Sequence, residues 1–402
     1  MKKISIFKYL HSKPITRQEI LEIAKRQKKN PDEVEKDIIH AISDLKYSQK
    51  EIEGTIKKNK YQIFPDKRVC VGSFGKKNEF NDYYLCHDQA QVCRGYPSSD
   101  IALVTGFGPT NSPTAGTLSI IFRLLEIQKR AGIYCHVIIS DLGALNSRKK
   151  SLSDLLSMTF RFKLFIEKLG FDSKRGEIRT HNSFDMLRTS TLTSSVLGVS
   201  DFEESKEATE DMYKRLKLTG NDFSTMVDKN FTVADILLPI IRDGKKIVLV
   251  SAGLEEHYYP RLSRIVIERM MQIKGLNEFV KHKPTVCAVY GKIIEGFSPY
   301  VKMSKSIPDS SINIGNSDSE IRDKILNCGE RNEHVILQMM ALASNWDYKK
   351  IKYANDCYNN RKISYADWEL LKKEYLKFFL EIKKIWNETN LKPDNIKNNI
   401  FK

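Results

Sequence analysis

An apolar strand, a glycine-rich turn and a helix follow one another between residues 101 and 125, and this order limits the chain to few folds. Residues 101–104 are continuously apolar, which predicts a buried strand. The turn reads Thr-Gly-Phe-Gly-Pro-Thr at 105–110, and the apolar spacing over 118–125 predicts a helix. Such a turn directs backbone N–H groups and a helix N-terminus at an anion. The segment therefore predicts an α/β domain with an anion-binding turn.

Two further buried strands end in acidic residues. The apolar run at 137–139 leads to Asp141, at the strand end where open α/β sheets place ligands. The alternative is that this aspartate caps a helix. The run at 246–250 leads through Gly253 to Glu255 and Glu256. These two carboxylates either hold ribose hydroxyls or an amino group, or only begin a helix, where negative charge is favoured.

A short lysine-rich segment near residue 300 is suited to a polyphosphate. It reads KMSKS at 302–306, so Lys302 and Lys305 bracket a Met-Ser pair and Ser306 closes the run. Two mobile ammonium groups, two hydroxyls and the backbone N–H groups can all donate hydrogen bonds to phosphate oxygens. The alternative for so short a match is a solvated surface loop.

Taken in order, these segments resemble the class I aminoacyl-tRNA synthetases. The tryptophanyl/tyrosyl subgroup is the most similar, and within it the tryptophanyl branch. The resemblance covers about residues 100 to 390. It rests on the following segments: TGFGPT at 105–110, ISDLGAL at 139–145, LGFDSKRGEI at 169–178, the stretch from ADILLP to RLSR at 234–264, KMSKSIPDSSINI at 302–314 and SDSEIRDKI at 317–325.

The resemblance implies a fold and a domain order. We expect a Rossmann-like parallel-sheet catalytic domain at 100–316, with a helical insertion at about 145–235. An all-helical C-terminal domain of the anticodon-binding type would follow at 317–390, and a flexible tail at 391–402. The resemblance also implies a homodimer.

The resemblance further implies an activity and a set of site residues. We expect ATP and Mg²⁺ to be used to activate an amino acid, tryptophan or another aromatic one, for transfer to tRNA. Lys302 and Lys305 would hold the pyrophosphate, Thr114 and Thr117 would lie at the α-phosphate, and Asp141 and Glu256 would contact the substrate. The expected ATP-binding residues are Gly106, Phe107, Gly108, Gly116, Gly253, Glu255, Met303, Ser304 and Ser306.

The sequence departs from the synthetase pattern at three places. Both histidines of the signature tetrad are threonines, Thr114 and Thr117. The glutamine of the later Gly-x-Asp-Gln segment is Glu256, and Asp-x-His-Ala carries Gly143 in place of its histidine. Losing one good transition-state donor typically costs about 10²–10³ in rate. Two alternatives to tRNA aminoacylation therefore stay open: a repurposed enzyme that acylates a small molecule or peptide, and a non-catalytic regulatory protein that binds nucleotide or tRNA.

Residues 1–65 predict a separate small module, joined to the catalytic domain by a connecting segment at 66–99. A capping box at 16–19 and an Asn-Pro start at 30–31 predict helices. Residues 56–64 predict a basic strand or hairpin, so the module resembles a winged helix. Lys57, Lys58 and Lys60 would then contact nucleic acid. The alternative is an appended helical domain with a solvated charged edge.

Composition agrees with a polyanionic partner. The 402-residue chain has a net charge of +16, which favours tRNA, although a generally lysine-rich proteome would explain the same excess. No apolar run approaches the ~20 residues that span a bilayer, and the start does not read as a signal peptide. An odd count of seven cysteines indicates the reducing cytoplasm. Cys70, Cys86 and Cys93 lack a paired CxxC spacing, so we expect no metal site.

Overall fold

The computed structural model describes residues 21–22, 24–25, 30–32, 49–77, 79–148, 151–205, 222–298, 300, 303, 308–360 and 364–390. The chain divides into two compact units. The first unit is drawn from Met1–Lys60, Ser112–Phe122 and Ile293–Lys384. The second unit is drawn from Tyr61–Asn111, Arg123–Lys292 and Ile385–Lys402.

The second unit is built on a mixed sheet of seven strands in the order β1-β2-β7-β6-β3-β4-β5. The strands are β1 Gln62–Ile63, β2 Tyr84–Asp88, β3 Ile101–Phe107, β4 Tyr134–Ile139, β5 Gly176–Thr180, β6 Ile247–Ala252 and β7 Thr285–Gly291. Strands β7, β6, β3, β4 and β5 pair in parallel, whereas β2 is antiparallel to β7 and β1 is antiparallel to β2. The first four residues of β3 are buried and apolar, as expected for a parallel sheet covered on both faces.

Helices cover the parallel strands of this unit. They are α2 Phe80–Tyr83, the later part of α3 Ala115–Ala131, α4 Asp141–Arg148, α5 Leu152–Lys168, α6 Phe184–Ser194, α7 Asp222–Ile241 and α8 Tyr258–Gln272. Serine side chains cap two of these helices: Ser151 accepts from Asp154 N at 3.1 Å, and Ser183 accepts from Met186 N at 3.3 Å. Met186 of α6 packs with Phe231 and Leu238 of α7 in a buried apolar cluster.

The described part of the first unit is mainly helical. It contains α1 Gln49–Asn59, the start of α3, α9 Asp318–Leu326, α10 Glu333–Leu342, α11 Tyr348–Asn359 and most of α12 Tyr365–Asn387. Ser317 and Glu320 form a capping box at the start of α9. Trp368 of α12 is fully buried and packs edge-on against Tyr358 of α11, with ring centroids 5.4 Å apart. None of the described helices has the length and apolar character needed to cross a membrane.

The predicted fold class is confirmed, with a Rossmann-like sheet and a helical C-terminal part. The three predicted strands correspond to β3, β4 and β6. The predicted basic strand at 56–64 is wrong over its first half, because residues 56–59 form the last turn of α1. Ile52 and Ile56, four residues apart, are both buried on one face of this helix, and only Gln62–Ile63 is extended. The capping box predicted at 16–19 lies outside the described residues.

Candidate functional site

The strand order of the second unit reverses beside β3, and this reversal defines the candidate ligand crevice. From β3 the chain adds β4 and β5 on one side, and then returns to add β6 and β7 on the other. Open α/β sheets bind ligands outside the carboxyl ends of the strands at such a switch point. The residues at this edge are Gly106, Phe107 and Gly108 at the end of β3 and Gly253 after β6.

The two glycines of the β3 turn have different reasons for lacking a side chain. A Cβ at Gly106 would lie 2.8 Å from Ile138 O, so glycine allows β3 to approach β4 closely. A Cβ at Gly108 would meet only Thr110 Cγ2, at an ordinary 3.8 Å. Among the described residues, packing therefore does not require glycine at 108. The ring of Phe107 packs on Phe162, with centroids 5.0 Å apart, so Phe107 would offer ATP its backbone.

Glu255 and Glu256 lie in a short 3₁₀ turn, Leu254–Glu256, directly after β6. Both side chains are exposed. The Glu255 carboxylate folds back over Gly253, so that Glu255 Oε1 would lie only 2.8 Å from a Cβ at that position. Gly253 therefore leaves room for the Glu255 carboxylate at the end of β6. The next residue, His257, shares a hydrogen bond of 3.0 Å between its Nδ1 and the Tyr61 hydroxyl.

A buried polar network joins β3 and β6 behind the crevice. Thr105 Oγ1 donates to Ser251 O at 2.8 Å, and the Tyr84 hydroxyl lies 2.8 Å from Ser251 Oγ. Arg123 is only 5% exposed and its guanidinium lies 5.0 Å from the centroid of the Tyr84 ring. Burial lowers the pKa of Arg123 from its ordinary value. The sequence analysis missed this network, although an arginine inside the apolar run of α3 was a usable signal.

Asp141 ties the ends of β4 and β5 together. Its side chain is fully buried, and Oδ1 accepts from Leu142 N and from His181 N, both at 2.9 Å. Its Oδ2 is buried without a hydrogen-bond partner among the described residues. Asp141 Oδ1 thus links the two strand ends, and the predicted substrate contact stays a prediction for Oδ2.

A buried ion cluster continues from Asp141. His181 Nε2 lies 2.8 Å from Asp235 Oδ2, and Arg179 Nη1 donates to Asp235 Oδ1 at 2.7 Å. Gly143 N donates to His181 Nδ1 at 3.2 Å, and the imidazole stacks on Phe231. Burial opposes protonation of His181, but the nearby carboxylates, Asp235 first, raise its pKa above the ordinary value. The described contacts make His181 a core residue.

Gly143 has a packing reason to be glycine. A Cβ at this position would overlap Ser140 Oγ and Asp228 Oδ1, and would lie 3.2 Å from His181 Cε1. The histidine that the synthetase pattern places here therefore does not fit. The imidazole of His181, which arrives from β5, occupies the adjacent space. At Gly143 and His181, the side chains of this crevice thus differ from the synthetase pattern.

The first unit contains the positions of the signature tetrad at the start of α3. Thr114 and Thr117 are both 5% exposed, and their hydroxyl oxygens lie 3.4 Å apart. Thr114 Oγ1 also accepts from Thr117 N at 3.4 Å, so this hydroxyl caps the helix. A Cβ at Gly116, between them, would meet only Thr114 Oγ1, at 3.6 Å. The structure thus brings the two threonines together.

A second segment of the first unit, at 312–314, holds the start of α3. Ala115 N donates to Ile312 O at 3.2 Å, and Ile314 N donates to Pro113 O at 3.0 Å. Met303, from the lysine-rich segment, is buried. The remaining predicted residues of that segment, Lys302, Ser304, Lys305 and Ser306, lie outside the described residues.

The three lysines predicted to contact nucleic acid lie together at the end of α1. Lys57 and Lys58 lie in the last turn of α1, and Lys60 follows it with a positive φ of 58°. A helix end of this kind carries cations favourably without any ligand. Within the described ranges, no three His, Cys, Asp or Glu side chains are grouped so that they could hold a metal ion.

Comparison with solved structures gives the class to which this fold belongs. The chain is similar to the tryptophanyl-tRNA synthetase of Aeropyrum pernix, with a TM-score of 0.60 and 19% identity, over 85% of this chain and 96% of that one. It is also similar to the enzyme of Giardia lamblia, with a TM-score of 0.63 and 17% identity over 86% and 95% of the two chains. The tryptophan-bound enzyme of Encephalitozoon cuniculi gives a TM-score of 0.61 and 16% identity over 86% and 98%.

The chain matches no protein-family model, and no curated protein sequence matches it. Its structural neighbours are nevertheless class I tryptophanyl-tRNA synthetases, and the likeness spans most of the chain. The fold is therefore that of a class I aminoacyl-tRNA synthetase. At identities of 10–19% the likeness concerns the fold.

Proposed function

We propose that this protein activates an amino acid with ATP and transfers it to tRNA. The observation that supports this most strongly is the strand order, which reverses beside β3 and places Gly106, Gly108 and Gly253 at the carboxyl edge of the sheet. The KMSKS segment at 302–306 supplies the cationic groups that such a reaction needs.

The proposed chemistry is attack of a carboxylate oxygen on the α-phosphorus of ATP, with pyrophosphate leaving. The protein then acts by positioning the reactants and by stabilising charge on the phosphate oxygens. Lys302 and Lys305 would donate to the pyrophosphate, and Thr114 and Thr117 to the α-phosphate. Mg²⁺, bound with ATP, would neutralise part of the phosphate charge. The backbone of 106–108, together with Gly116, Gly253, Met303, Ser304 and Ser306, would line the nucleotide.

The substrate end of the proposed site is less like that of the synthetases. Glu255 and Glu256 are exposed after β6 and would take ribose hydroxyls or the amino group. Asp141 Oδ2 would accept from the substrate amino group. The Gly143–His181 arrangement makes the side-chain pocket different in shape, so the proposal extends to an aromatic amino acid and not to tryptophan alone. A homodimer in the cytoplasm, with the C-terminal helices at the tRNA anticodon, belongs to the same proposal.

A second candidate is a nucleotide- or tRNA-binding protein without turnover. One contact favours it: the Thr114 hydroxyl caps α3 and lies 3.4 Å from the Thr117 hydroxyl, so the two side chains hydrogen-bond within the chain. On this proposal the crevice holds ATP, but the transition-state donors of the signature tetrad are missing.

Amino-acid-dependent exchange of pyrophosphate into ATP, run with each of the twenty amino acids, tests both candidates. Exchange with one amino acid would support the enzyme and name its substrate. ATP binding without exchange for any amino acid would support the second candidate. Where exchange occurs, stable acylation of purified tRNA would separate the tRNA acceptor from a small molecule or peptide.

A matched pair of double variants tests the role of the lysines. Lys302→Ala with Lys305→Ala should lower exchange by at least about 10²-fold, because two donors to the leaving pyrophosphate are lost. Lys349→Ala with Lys352→Ala removes two exposed lysines of α11 and should leave exchange unchanged. Equal activities of the two double variants would show that the KMSKS lysines do not act on pyrophosphate.

A further inference from the structure

A groove runs between α9 and α12 in the first unit, outside the residues proposed for catalysis. It has a volume of about 510 Å³, which lies in the range of clefts that accept ligands. Arg322 and Leu326 of α9 form one wall, and six residues of α12 form the other: Lys373, Leu376, Lys377, Leu380, Glu381 and Lys384. We refer to it as the α9–α12 groove.

The floor of the α9–α12 groove is aliphatic. Leu376 and Leu380 of α12 are one helical turn apart, and Leu326 faces them from the end of α9. Leu376 is 4% exposed, whereas Leu326 and Leu380 are half-buried. A floor of this kind remains partly hydrated in the free protein and gains free energy when a partner covers it.

The rim of the α9–α12 groove is strongly cationic. Arg322, Lys373, Lys377 and Lys384 line it, together with one acid, Glu381. Within the described ranges, none of these four cationic side chains makes a hydrogen bond or an ion pair.

Other lysines of α12 behave differently. Lys372 Nζ lies 2.6 Å from Glu369 Oε1, and Lys383 Nζ lies 2.5 Å from Asp318 Oδ1. The two lysines of α12 that do not line the groove, Lys372 and Lys383, are thus paired with carboxylates within the chain, and those on its rim are not. This contrast concentrates unpaired positive charge around an apolar floor.

We propose that the α9–α12 groove docks an acidic amphipathic helix of a partner protein. Apolar side chains of that helix, spaced i, i+3/i+4 and i+7, cover the floor of the groove. Its flanking carboxylates pair with Arg322, Lys373, Lys377 and Lys384. Lys373, Lys377 and Lys384 lie within about 40° on one face of α12 and span about 16 Å, so three turns of a docked helix cover them.

The lining of the groove favours a peptide over a nucleic acid. Single-stranded nucleic acid binds by stacking its bases on aromatic rings, and none of the described residues that line this groove is aromatic. A phosphate backbone would pair with the cations but would leave the three leucines of the floor uncovered. An amphipathic helix can both cover the three leucines of the floor and pair with the cations of the rim.

Fluorescence anisotropy with a synthetic peptide tests the proposal on the full-length protein. The probe is a fluorescein-labelled helix of about 14 residues, four turns long, with one leucine stripe flanked by glutamates. We expect saturable binding with a Kd on the order of 10 µM, since the groove is smaller than a standard interface. A peptide of the same composition with its stripe scrambled should bind about tenfold more weakly, because it covers less of the floor.

Charge-reversal variants of exposed residues complete the test. Lys373→Glu with Lys377→Glu, or Arg322→Glu on the opposite wall, should raise the Kd about tenfold or more. Lys349→Glu with Lys352→Glu makes the same charge change on α11 and should leave the Kd within about twofold at fixed salt. Equal affinity for the ordered and scrambled peptides, or no binding at about 1 mM, would overturn the proposal. Tighter binding of a single-stranded RNA that displaces the peptide would overturn it in favour of nucleic acid.

Discussion

Removing the Asp235 carboxylate should destabilise the second unit more than any surface ion pair could. Asp235 is 7% exposed and holds two basic side chains from β5 and its end: Arg179 at 2.7 Å and His181 at 2.8 Å. Asp235→Ala deletes both contacts and leaves the Arg179 guanidinium, whose side chain is 6% exposed, without its carboxylate.

The magnitude follows from what remains around Arg179. Removing one partner of a buried ion pair typically costs about 3–5 kcal/mol, because an uncompensated charge stays buried. Three contacts survive the substitution. Arg179 Nη2 still donates to the backbone oxygen of residue 235 at 2.7 Å, Nη1 still donates to Met186 Sδ at 3.5 Å, and Nε lies 3.8 Å from Glu177 Oε1. We therefore expect a loss at the lower end of that range, about 3 kcal/mol.

Urea unfolding followed by far-UV circular dichroism measures this loss. With an m-value of about 3 kcal/mol/M, the midpoint of Asp235→Ala should fall by about 1 M. The matched control is Asp185→Ala. The Asp185 side chain is 47% exposed, and its carboxylate lies 3.7 Å from Arg242. That variant should lose less than about 1 kcal/mol. If the two midpoints fall equally, the buried cluster does not stabilise the unit and the argument is wrong.

Two further predictions concern titratable groups. Burial opposes ionisation of Glu177, but the His136 imidazole beside it and hydrogen bonds from Arg242 lower its pKa to about 2. The contribution of Glu177 to stability is therefore complete above pH ~4.5 and is lost as pH falls towards 2. Glu177→Gln should therefore cost about 1–2 kcal/mol at pH 5.5 and less at pH 3, measured by urea midpoints, and an equal cost at both values would contradict this. Burial raises the pKa of Cys86 to about 12 and of Cys328 to about 11, and of the seven thiols only Cys70 and Cys328 are half-exposed. Ellman's reagent should titrate no more than these two in the native protein and all seven in urea, and fast reaction of a third native thiol would show that the core opens.

Much of the fold could be predicted because it is encoded locally. The runs at 101–104 and 137–139 fall within strands of the parallel sheet, and so does the run at 246–250 from residue 247 onward. The glycine-rich turn at 105–110 and the helix after it can be predicted from neighbouring residues alone. The wrong prediction of a strand at 56–59 also comes from a local pattern. The lysine-rich sequence indicates a strand when the helical spacing of Ile52 and Ile56 is not considered.

The polar contacts that shape the crevice could not be predicted in this way. Arg179 and Asp235 are 56 residues apart, and Tyr84 and Ser251 are 167 apart. Such pairs are brought together by the order of the strands in the sheet, so no local sequence pattern predicts them. Gly143 illustrates the consequence: it departs from a motif in the sequence, and part of the reason lies in Asp228 of α7 and in His181 after β5, which are distant along the chain.

The two threonines at the start of α3 limit how much catalysis the proposed enzyme can draw from this position. Each hydroxyl has one proton to donate, and the 3.4 Å separation of the two oxygens lets one hydroxyl donate weakly to the other. Accepting from Thr117 N uses a lone pair of Thr114 Oγ1 and leaves its proton free, so capping and phosphate binding are compatible. When one proton is used within the pair, one remains for the α-phosphate, where two histidines would offer two. The loss of one donor corresponds to a rate about 10²–10³ lower, so an active enzyme with this helix start should be slow rather than inert.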